Sequence, residues 1–510
     1  MAKLTPDIYA PESEQQAGPP AARTPIPQPE PDGERGTPGS KALNKIQKFK
    51  GIICVAPTAI LWFLPVPAGL TVGAWHFFAL FVGTVLGLML NPLPMAAVIL
   101  ISTVFAVAVK LLTLKDALAA WGNPTAWLVF IAFLFAKGFI KTGLGRRIAL
   151  LLTRLFGDST LKLSYLLSAT DLIISPALPS NTARAGGIMF PIVKSLVVSF
   201  DSHPGPTARR IGSFLIICSY FSSCVTSAIF MTAMVSNVLI AELARKTLGI
   251  EITWATWALA GIVPGIASLI IIPLFLYYYY PPELKKTPQA KAHAAEELRK
   301  MGPIKRNEIV LVFIFFGVLT LWATAIYTNI DATLVGLLGL SAMLVMRILE
   351  WQDALEEKGA WDVFIWLGGI IGLADWLAKY GFIAWFAKLV AAHLVGIPWY
   401  VSLGLVVLIY FYSQYAFAGM TSHVVAMYAV LIAVAAVAGV PKYLIALTLA
   451  YTSSICAVLT PYGTAPAPIY FGAGYVEAKT WWKLGFLVSL LYIAIYVVIG
   501  GLWWKLLRLW

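Results

Sequence analysis

Charged residues are scarce in this chain of 510 residues. Asp, Glu, Lys and Arg together make up 12% of it, whereas about one quarter of a soluble domain is charged. Hydrophobic residues make up 59%, and the mean hydropathy is +0.81. This composition excludes an ordinary soluble domain and predicts a chain surrounded mainly by lipid. Ten-residue stretches of alternating polarity, typical of membrane barrels, are absent, so we expect an all-α polytopic membrane protein.

Cysteine is also rare, and enzyme motifs are missing. The sequence has no Walker loop, no haem-ligand pair, no HExxH and no nucleophile–His–Asp set. We therefore predict no cofactor, no metal and no enzymatic activity, and transport without an energy-coupling motif must be secondary. The four cysteines lie in apolar segments without metal-ligand spacing and are interpreted as small core residues: Cys54, Cys218, Cys224 and Cys456.

The net charge of +13 raises the question of a nucleic-acid partner. The basic residues lie mainly in short stretches between apolar segments, as the positive-inside rule predicts for cytoplasmic loops, so no such partner is expected. Residues 1–47 are rich in Pro, Gly and Gln and carry several acidic residues, which predicts a disordered cytoplasmic tail. An acidic tail with no cleavable signal favours a bacterial inner membrane, and a plastid inner envelope is the alternative.

Apolar runs divide the rest of the chain into candidate membrane spans. A bilayer core of about 30 Å needs roughly 20 apolar residues per helix. Two apolar segments have polar residues at their middle and are predicted to be re-entrant helix–turn–helix hairpins. These are the first hairpin (162–198), broken at 179–182, and the second hairpin (400–438), broken at 419–423. The remaining spans, about eleven, are 51–66, 69–91, 94–113, 127–152, 211–243, 256–280, 308–328, 331–348, 361–393, 442–474 and 481–505.

A polar linker (281–307) separates two similar halves. The linker is basic, and six predicted spans separate it from the basic residues before the first span, so both are placed in the cytoplasm. Residues 48–280 contain the first helix and repeat 1, and residues 308–510 contain repeat 2. The pattern LKDAL before AWLVFI (114–131) is echoed by WQDAL before AWDVFI (351–365). Five crossings per unit predict inverted repeats with a site at the membrane midplane; resemblance by composition alone is the alternative.

The first hairpin carries the clearest candidate site. Ser180, Asn181 and Thr182 have the short polar side chains that cap a helix, and a helix N-terminus favours anions. Arg184 follows, and its guanidinium can bind a carboxylate through two hydrogen bonds. A cation at that depth needs a function or a partner. The alternative is that the polar residues form only a turn and that Arg184 pairs with Asp171.

The second hairpin offers a matching set of residues. Thr421, Ser422 and His423 lie at the corresponding break, and His423 is the candidate second cation; a histidine that is merely hydrogen-bonded in the core is the alternative. The span after each hairpin is also interrupted, which frees backbone groups near the same depth. In the first span the polar residues are Thr226, Ser227, Thr232, Ser236 and Asn237, and in the second the candidates are Thr460, Pro461, Gly463 and Thr464.

Residues 179–187 (PSNTARAGG) and 460–470 (TPYGTAPAPIY) resemble the signatures of the divalent anion/sodium symporter family. The likeness runs from about residue 48 to residue 510. It is greatest to an exchanger branch of bacterial citrate and tartrate/succinate antiporters and plastidic 2-oxoglutarate/malate translocators. The resemblance implies a homodimer in the lipid bilayer, with scaffold and transport domains that move as an elevator. It also implies that small carboxylate substrates bind between the two hairpin tips.

Sodium-coupled members of the family carry Ser-Asn-Thr in both hairpins, whereas this chain has Thr421-Ser422-His423 in the second and Arg184 after the first. We therefore expect Arg184 and a protonated His423 to neutralise a dianion in place of sodium. Fixed cations left unpaired after release would oppose return of the empty carrier, which predicts obligatory, sodium-independent exchange of malate, succinate, 2-oxoglutarate, tartrate or citrate. A sodium-coupled symporter, a membrane-embedded enzyme acting on lipid and a passive anion channel are the alternatives.

Overall fold

The apolar runs form helices in the computed structural model, which describes residues 38–394, 397–417 and 419–510 and contains no β-strand among them. Residues 1–37 of the predicted tail lie outside the described residues. Residues 38–47 were also assigned to the tail, but they begin a helix, because Pro38 stands at its first turn and good helix formers follow. Residues 47–510 form one compact unit.

The first half runs to the end of a long helix before the linker. Short 3₁₀ turns at Ala120–Gly122, Ser175–Ala177 and Met231–Ala233, and a wide π turn at Thr182–Met189, interrupt its α-helices. The α-helices are α1 (Pro38–Phe63), α2 (Val72–Leu90), α3 (Met95–Ala108), α4 (Leu114–Ala119), α5 (Pro124–Thr142), α6 (Leu144–Phe156), α7 (Thr160–Ile174), α8 (Phe190–Ser199), α9 (Gly212–Ile229), α10 (Val235–Leu248) and α11 (Trp254–Tyr279).

The second half follows a helix in the linker, α12 (Pro288–Met301). The 3₁₀ turns here are Gln414–Ala416 and Cys456–Leu459, and the π turns are Val424–Tyr428 and Tyr496–Gly500. The α-helices are α13 (Arg306–Ala323), α14 (Ala325–Thr328), α15 (Ala332–Val345), α16 (Trp351–Glu356), α17 (Lys358–Lys379), α18 (Phe382–Leu394), α19 (Trp399–Ser413), α20 (Met420–His423), α21 (Ala429–Val437), α22 (Lys442–Ile455), α23 (Ala467–Gly472), α24 (Ala478–Ile495) and α25 (Gly501–Leu506).

By length and hydropathy, nine helices of the described residues could cross a membrane. Eight of them overlap predicted spans, and the ninth, Met420–Val437, belongs to the second hairpin. The other three predicted spans overlap the shorter apolar helices Phe49–Phe63, Met95–Ala108 and Ala332–Val345. The fold is thus all-helical and polytopic, and the number of eleven crossings stays a prediction.

Two predicted spans were wrong as single helices. Span 127–152 divides into α5 and α6 at Gly143, and span 361–393 divides into α17 and α18 at Gly381. Both glycines have φ near +80° (77° and 80°), a left-handed conformation that ends a helix. Hydropathy did not reveal the turns because the residues on both sides are apolar.

The same order of elements occurs twice along the chain. An apolar helix and a short helix (α3 and α4; α15 and α16) precede a long helix, a glycine turn, a broken hairpin, a broken span and a final long helix. The two broken spans lie at the centre of the protein: every residue of α9 is buried, and so are almost all those of α22. These two helices pack on each other, and the inverted membrane orientation of the repeats stays a prediction.

Candidate functional site

The first hairpin is interrupted by a turn, and a new helix begins directly after it. After α7 and its 3₁₀ turn, Leu178 is extended and the next helix begins at about Asn181. The Ser180 Oγ accepts a hydrogen bond from the Ala183 N–H at 3.2 Å, as a capping residue does. Asn181 is 4% exposed, and its Nδ2 has no partner among the described protein atoms. Thr182, in contrast, is exposed.

Arg184 points into the protein rather than towards an open cleft. Its side chain is fully buried, and its Nε donates to the Asp171 Oδ1 at 3.0 Å. The Nη1 donates to the carbonyl oxygens of Leu178 and Ala233 at 3.1 and 2.8 Å. The Nη2 lies 2.6 Å from the Ser227 Oγ and 3.5 Å from both the Asn181 Oδ1 and the Thr226 Oγ1.

A guanidinium has five N–H donors, and these partners occupy them all. The structure therefore shows the pairing with Asp171 that the sequence left as the alternative. Asp171 also accepts a short hydrogen bond from Thr226, so both of its oxygens are used. The positive charge of Arg184 is compensated within the protein, and direct contact of Arg184 with a substrate remains a prediction.

The first broken span supplies the partners of Arg184. Its break lies between Ile229 and Val235, and the Ala233 carbonyl oxygen freed there is one of the guanidinium's acceptors. Asn237 closes the break, because its Nδ2 donates to the carbonyl oxygens of Ser227 and Phe230 at 2.6 and 3.0 Å. Its neighbour Ser236 is fully buried, and the hydroxyl has no partner among the described protein atoms.

At the tip of the second hairpin the three candidate residues face different surroundings. Thr421 is half-buried, and the Ser422 hydroxyl donates to the Leu88 carbonyl oxygen of α2 at 2.9 Å. His423 is fully buried; its Nε2 lies 2.8 Å from the Ser413 Oγ, and its ring stacks on Tyr410 at 4.3 Å. An imidazolium in this aromatic enclosure would be desolvated without a carboxylate partner among its described contacts. The geometry therefore fits a neutral imidazole better than the predicted cation.

The second broken span carries the other candidates. Thr460 is extended and fully buried, and its Oγ1 has no partner among the described protein atoms. Pro461 is half-buried. A Cβ added to Gly463 would lie 2.5 Å from the Ala457 carbonyl oxygen, so only glycine permits this close backbone approach. The Thr464 Oγ1 lies 3.1 Å from the Tyr220 hydroxyl of α9.

Hydrogen bonds, neighbouring positions in the chain and ring stacking together connect these breaks into one network. From Arg184 and Ser227 it passes to Asn237, whose Oδ1 accepts from the Ser454 hydroxyl at 3.4 Å. The Oγ of the adjacent Ser453 lies 2.7 Å from the Tyr410 hydroxyl. The His423 ring stacks on the ring of the same tyrosine. No hydrogen bond joins Ser180 directly to Thr421 within the ranges that the structure covers, and the connection between the two tips runs through residues of the broken spans.

Sequence reasoning missed three residues of this network. Gln414 is fully buried, and its Nε2 reaches the Gly463 carbonyl oxygen at 3.4 Å. Tyr220 donates to the Ala457 carbonyl oxygen at 3.0 Å, and Ser454 reaches Asn237. A glutamine within an apolar helix was a usable signal, because buried polar groups require partners. Tyr220 and Ser454 had no such signal, since hydroxyl residues are common in packed membrane helices.

Across the part of the chain that the structure describes, no group of three or more His, Cys, Asp or Glu side chains is placed to hold a metal ion. The chemistry available at the breaks is hydrogen bonding. Four buried groups without partners among the described protein atoms, on Asn181, Ser236, His423 and Thr460, lie at four different breaks. Amide and hydroxyl groups of this kind can donate to the oxygens of an anion.

Several known proteins similar to this chain are named as transporters. A putative malate transporter of Bacillus subtilis, YflS, is 46% identical over 90% of this chain and 96% of its own length. The chloroplastic dicarboxylate transporter 1 of Arabidopsis thaliana is 43% identical over 89% and 82%. The citrate/succinate antiporter of Escherichia coli is 36% identical over 92% and 100%.

A solved structure supports the fold alone. The YdaH transporter of Alcanivorax borkumensis, described as having an unusual topology, matches with a TM-score of 0.52 at 13% identity, over 91% of this chain and 98% of that one.

The family model described as the sodium:sulfate symporter transmembrane region matches residues 45–510. This match covers nearly all of the described structure, and the chain is therefore a member of the sodium:sulfate symporter transmembrane family.

Proposed function

We propose that this protein is a secondary transporter that exchanges di- or tricarboxylates such as malate, succinate, 2-oxoglutarate, tartrate or citrate. The names of its relatives support this substrate class, since they include a malate transporter, a dicarboxylate transporter and a citrate/succinate antiporter. Two of these relatives are bacterial, and we infer a bacterial inner membrane for this chain too. The geometry fits transport better than catalysis, because the Ser413–His423 pair at the second tip lacks a third group that orients the base: the His423 Nδ1 has no partner among the described protein atoms.

The observation that carries the proposal is the set of unpaired buried donors at the helix breaks. The Asn181 Nδ2 and the Thr460 Oγ1 are buried without protein partners, although unpaired polar groups are costly at such depth. A carboxylate placed between the hairpin tips would satisfy them, together with the N–H groups beginning the helix at Ser180. Thr182, Thr421 and Ser422 border the same site in this proposal.

Arg184 acts in this proposal as a positioning residue. It holds the first tip against the broken span through Ser227 and the Ala233 carbonyl oxygen, while Asp171 compensates its charge. If Arg184 left Asp171, its guanidinium could bind a carboxylate of the substrate. The observed geometry does not require this movement. His423 fixes the second tip as a neutral ring between Ser413 and Tyr410.

Exchange follows from the unpaired donors rather than from fixed charge. An unsatisfied buried donor costs about 1–3 kcal/mol, so an empty transport domain that moves across the membrane interior carries a penalty that bound substrate removes. We further propose the elevator movement and the homodimer that the family resemblance implies. The sodium-coupled symporter remains the second candidate, because the description of the matching family names a sodium symporter.

Radiolabelled succinate efflux from proteoliposomes tests the proposal. We expect fast efflux with dicarboxylate outside, slow efflux without it, and no change when a sodium gradient is imposed. Full-rate efflux into buffer that lacks dicarboxylate would contradict exchange. Uptake into empty vesicles that follows a sodium gradient would establish the symporter instead.

A further inference from the structure

A cavity of about 590 Å³ adjoins the first hairpin on the side of the linker. We name it the linker-side cavity; it lies between α5, α6, the second limb of the first hairpin and α12. Ala183 and Gly187 line it, and they belong to the helix that begins at the hairpin tip. The cavity therefore extends from the linker to the first turn beyond Ser180, and its volume lies within the range of small-molecule sites.

Helix α12 lies across this cavity and is fastened on both sides. The Glu297 Oε2 lies 2.6 Å from the Arg146 Nη2 on α6. The His293 Nε2 lies 3.0 Å from the Ser195 Oγ on the hairpin limb. These four residues all line the cavity. The linker helix thus holds a carboxylate against a cation on the path to the hairpin tip.

We propose that Arg146 is an access subsite for one carboxylate of the substrate, and that Glu297 occupies this subsite in competition with the substrate. This inference rests on the proposed dicarboxylate transport. Glu297 presents to Arg146 the same chemical group that a dicarboxylate carries at each end. An incoming substrate that displaces Glu297 gains the same charge-assisted hydrogen bond and is then held beside Ala183, close to the tip.

The exposure of the two arginines distinguishes their roles. The Arg146 side chain is 54% exposed, whereas the Arg184 side chain is fully buried. An exposed pair is weak and screened by salt, so Glu297 and a substrate can exchange rapidly at Arg146. Lys300 also contacts Glu297 at 2.9 Å, and this ammonium remains as a partner for Glu297 when Arg146 is taken by the substrate. The hydrogen bond and the charge of Lys300, and after them the charge of Arg146, hold the pKa of Glu297 below its usual range.

Transport by the full-length protein in inside-out membrane vesicles tests this inference, with Glu297→Gln as the main variant. We expect the apparent KM for succinate to fall about two- to five-fold with Vmax unchanged, a range typical of exposed ion pairs. Glu296→Gln is the matched control, because Glu296 pairs with the same Lys300 at 3.1 Å on the same helix but is not part of the cavity lining. Its KM should equal that of the wild type.

Arg146→Gln provides an independent arm: its KM should rise by a similar factor, and adding Glu297→Gln to it should have no further effect. An Arg146→Gln variant with wild-type KM, or a Glu297→Gln variant that behaves like Glu296→Gln, would overturn the subsite. The subsite would also be overturned if Glu297→Gln lowered the KM equally in the wild-type protein and in the Arg146→Gln variant. Wild-type vesicles without saturable dicarboxylate transport would instead refute the proposed function itself.

Discussion

The pair of Arg184 and Asp171 shows how a membrane protein can carry a guanidinium at the centre of its fold. Both side chains are almost fully buried, with exposures of 0% and 4%. Each ion is costly to desolvate, so the pair persists because hydrogen bonds to Ser227, Thr226 and two carbonyl oxygens complete its environment. Removal of one partner leaves a buried, uncompensated charge.

Asp171→Asn is therefore expected to destabilise the protein by about 3–5 kcal/mol, the usual cost of breaking a buried pair. The melting temperature of the purified protein in detergent measures the loss. The double variant Asp171→Asn, Arg184→Gln should melt above the single variant, because no charge is left unpaired. Wild-type melting of Asp171→Asn would show that the pair does not hold the tip.

Thr460 tests the role of an unpaired hydroxyl. Thr460→Val keeps the shape and removes a group that has no protein partner, so the fold should be retained. A hydrogen bond to a charged ligand contributes about 1.5–3 kcal/mol, and equilibrium binding of radiolabelled succinate should weaken by about ten- to a hundred-fold. Thr448→Val is the control, since that hydroxyl donates to the Leu444 carbonyl oxygen of its own helix. Equal binding by both variants would remove Thr460 from the site.

The sequence identified the polar residues at the breaks but not their partners. Proline followed by Ser180 and Asn181 predicts a cap at that point on local grounds. Whether Arg184 pairs with Asp171 or with a substrate depends on the relative rotation of the two limbs of the hairpin. No local sequence pattern specifies that rotation. Ser422 is a further case, because its acceptor at Leu88 lies 334 residues away.

Among the helical elements, the two broken spans determine the position of the candidate site. The helices before the two breaks, α9 and α22, are buried and pack on each other, and this places the breaks within the core. Such backbone is tolerated in a membrane only where protein or a polar cavity covers it. The geometry of the break is thus as important as the side chains on it.

Gly463→Ala tests that geometry. The added methyl would lie 2.5 Å from the Ala457 carbonyl oxygen and 2.9 Å from the Ala457 Cα, so the backbone must move. We expect loss of exchange and a lower melting temperature. Gly472→Ala is the matched control on α23, because a Cβ there meets nothing within 4 Å. Normal exchange by Gly463→Ala would contradict a role for the close approach.

Breaks in the helices could be predicted where polar residues interrupt an apolar run, and they were missed where only a single glycine does. Breaks at 179–182 and 419–423 interrupt apolar helices with polar residues, which is visible in one sequence. The turns at Gly143 and Gly381 lie within continuous apolar runs, and a single glycine is a weak signal there. Gly143 and Gly381 lie at matching positions in the two halves, yet similarity between halves does not by itself predict a turn.

The protein as a whole is a doubled arrangement with its polar groups gathered at the centre and its charges compensated there. In the proposed mechanism the donors bind the anion, while Asp171 compensates the charge of Arg184, so substrate affinity does not depend on a net positive charge. The central claim is that a carboxylate binds at the tip of the first hairpin, beside Asn181.

Equilibrium binding of radiolabelled succinate to Asn181→Asp is the most direct test of this claim. An Asp at this position keeps the acceptor for Arg184, so the fold should be retained, but it places a negative charge where the anion is proposed to bind. Asn329→Asp, on an exposed left-handed position of a loop, is the matched control. We expect no measurable binding by Asn181→Asp and wild-type binding by Asn329→Asp; wild-type affinity in Asn181→Asp would contradict the account.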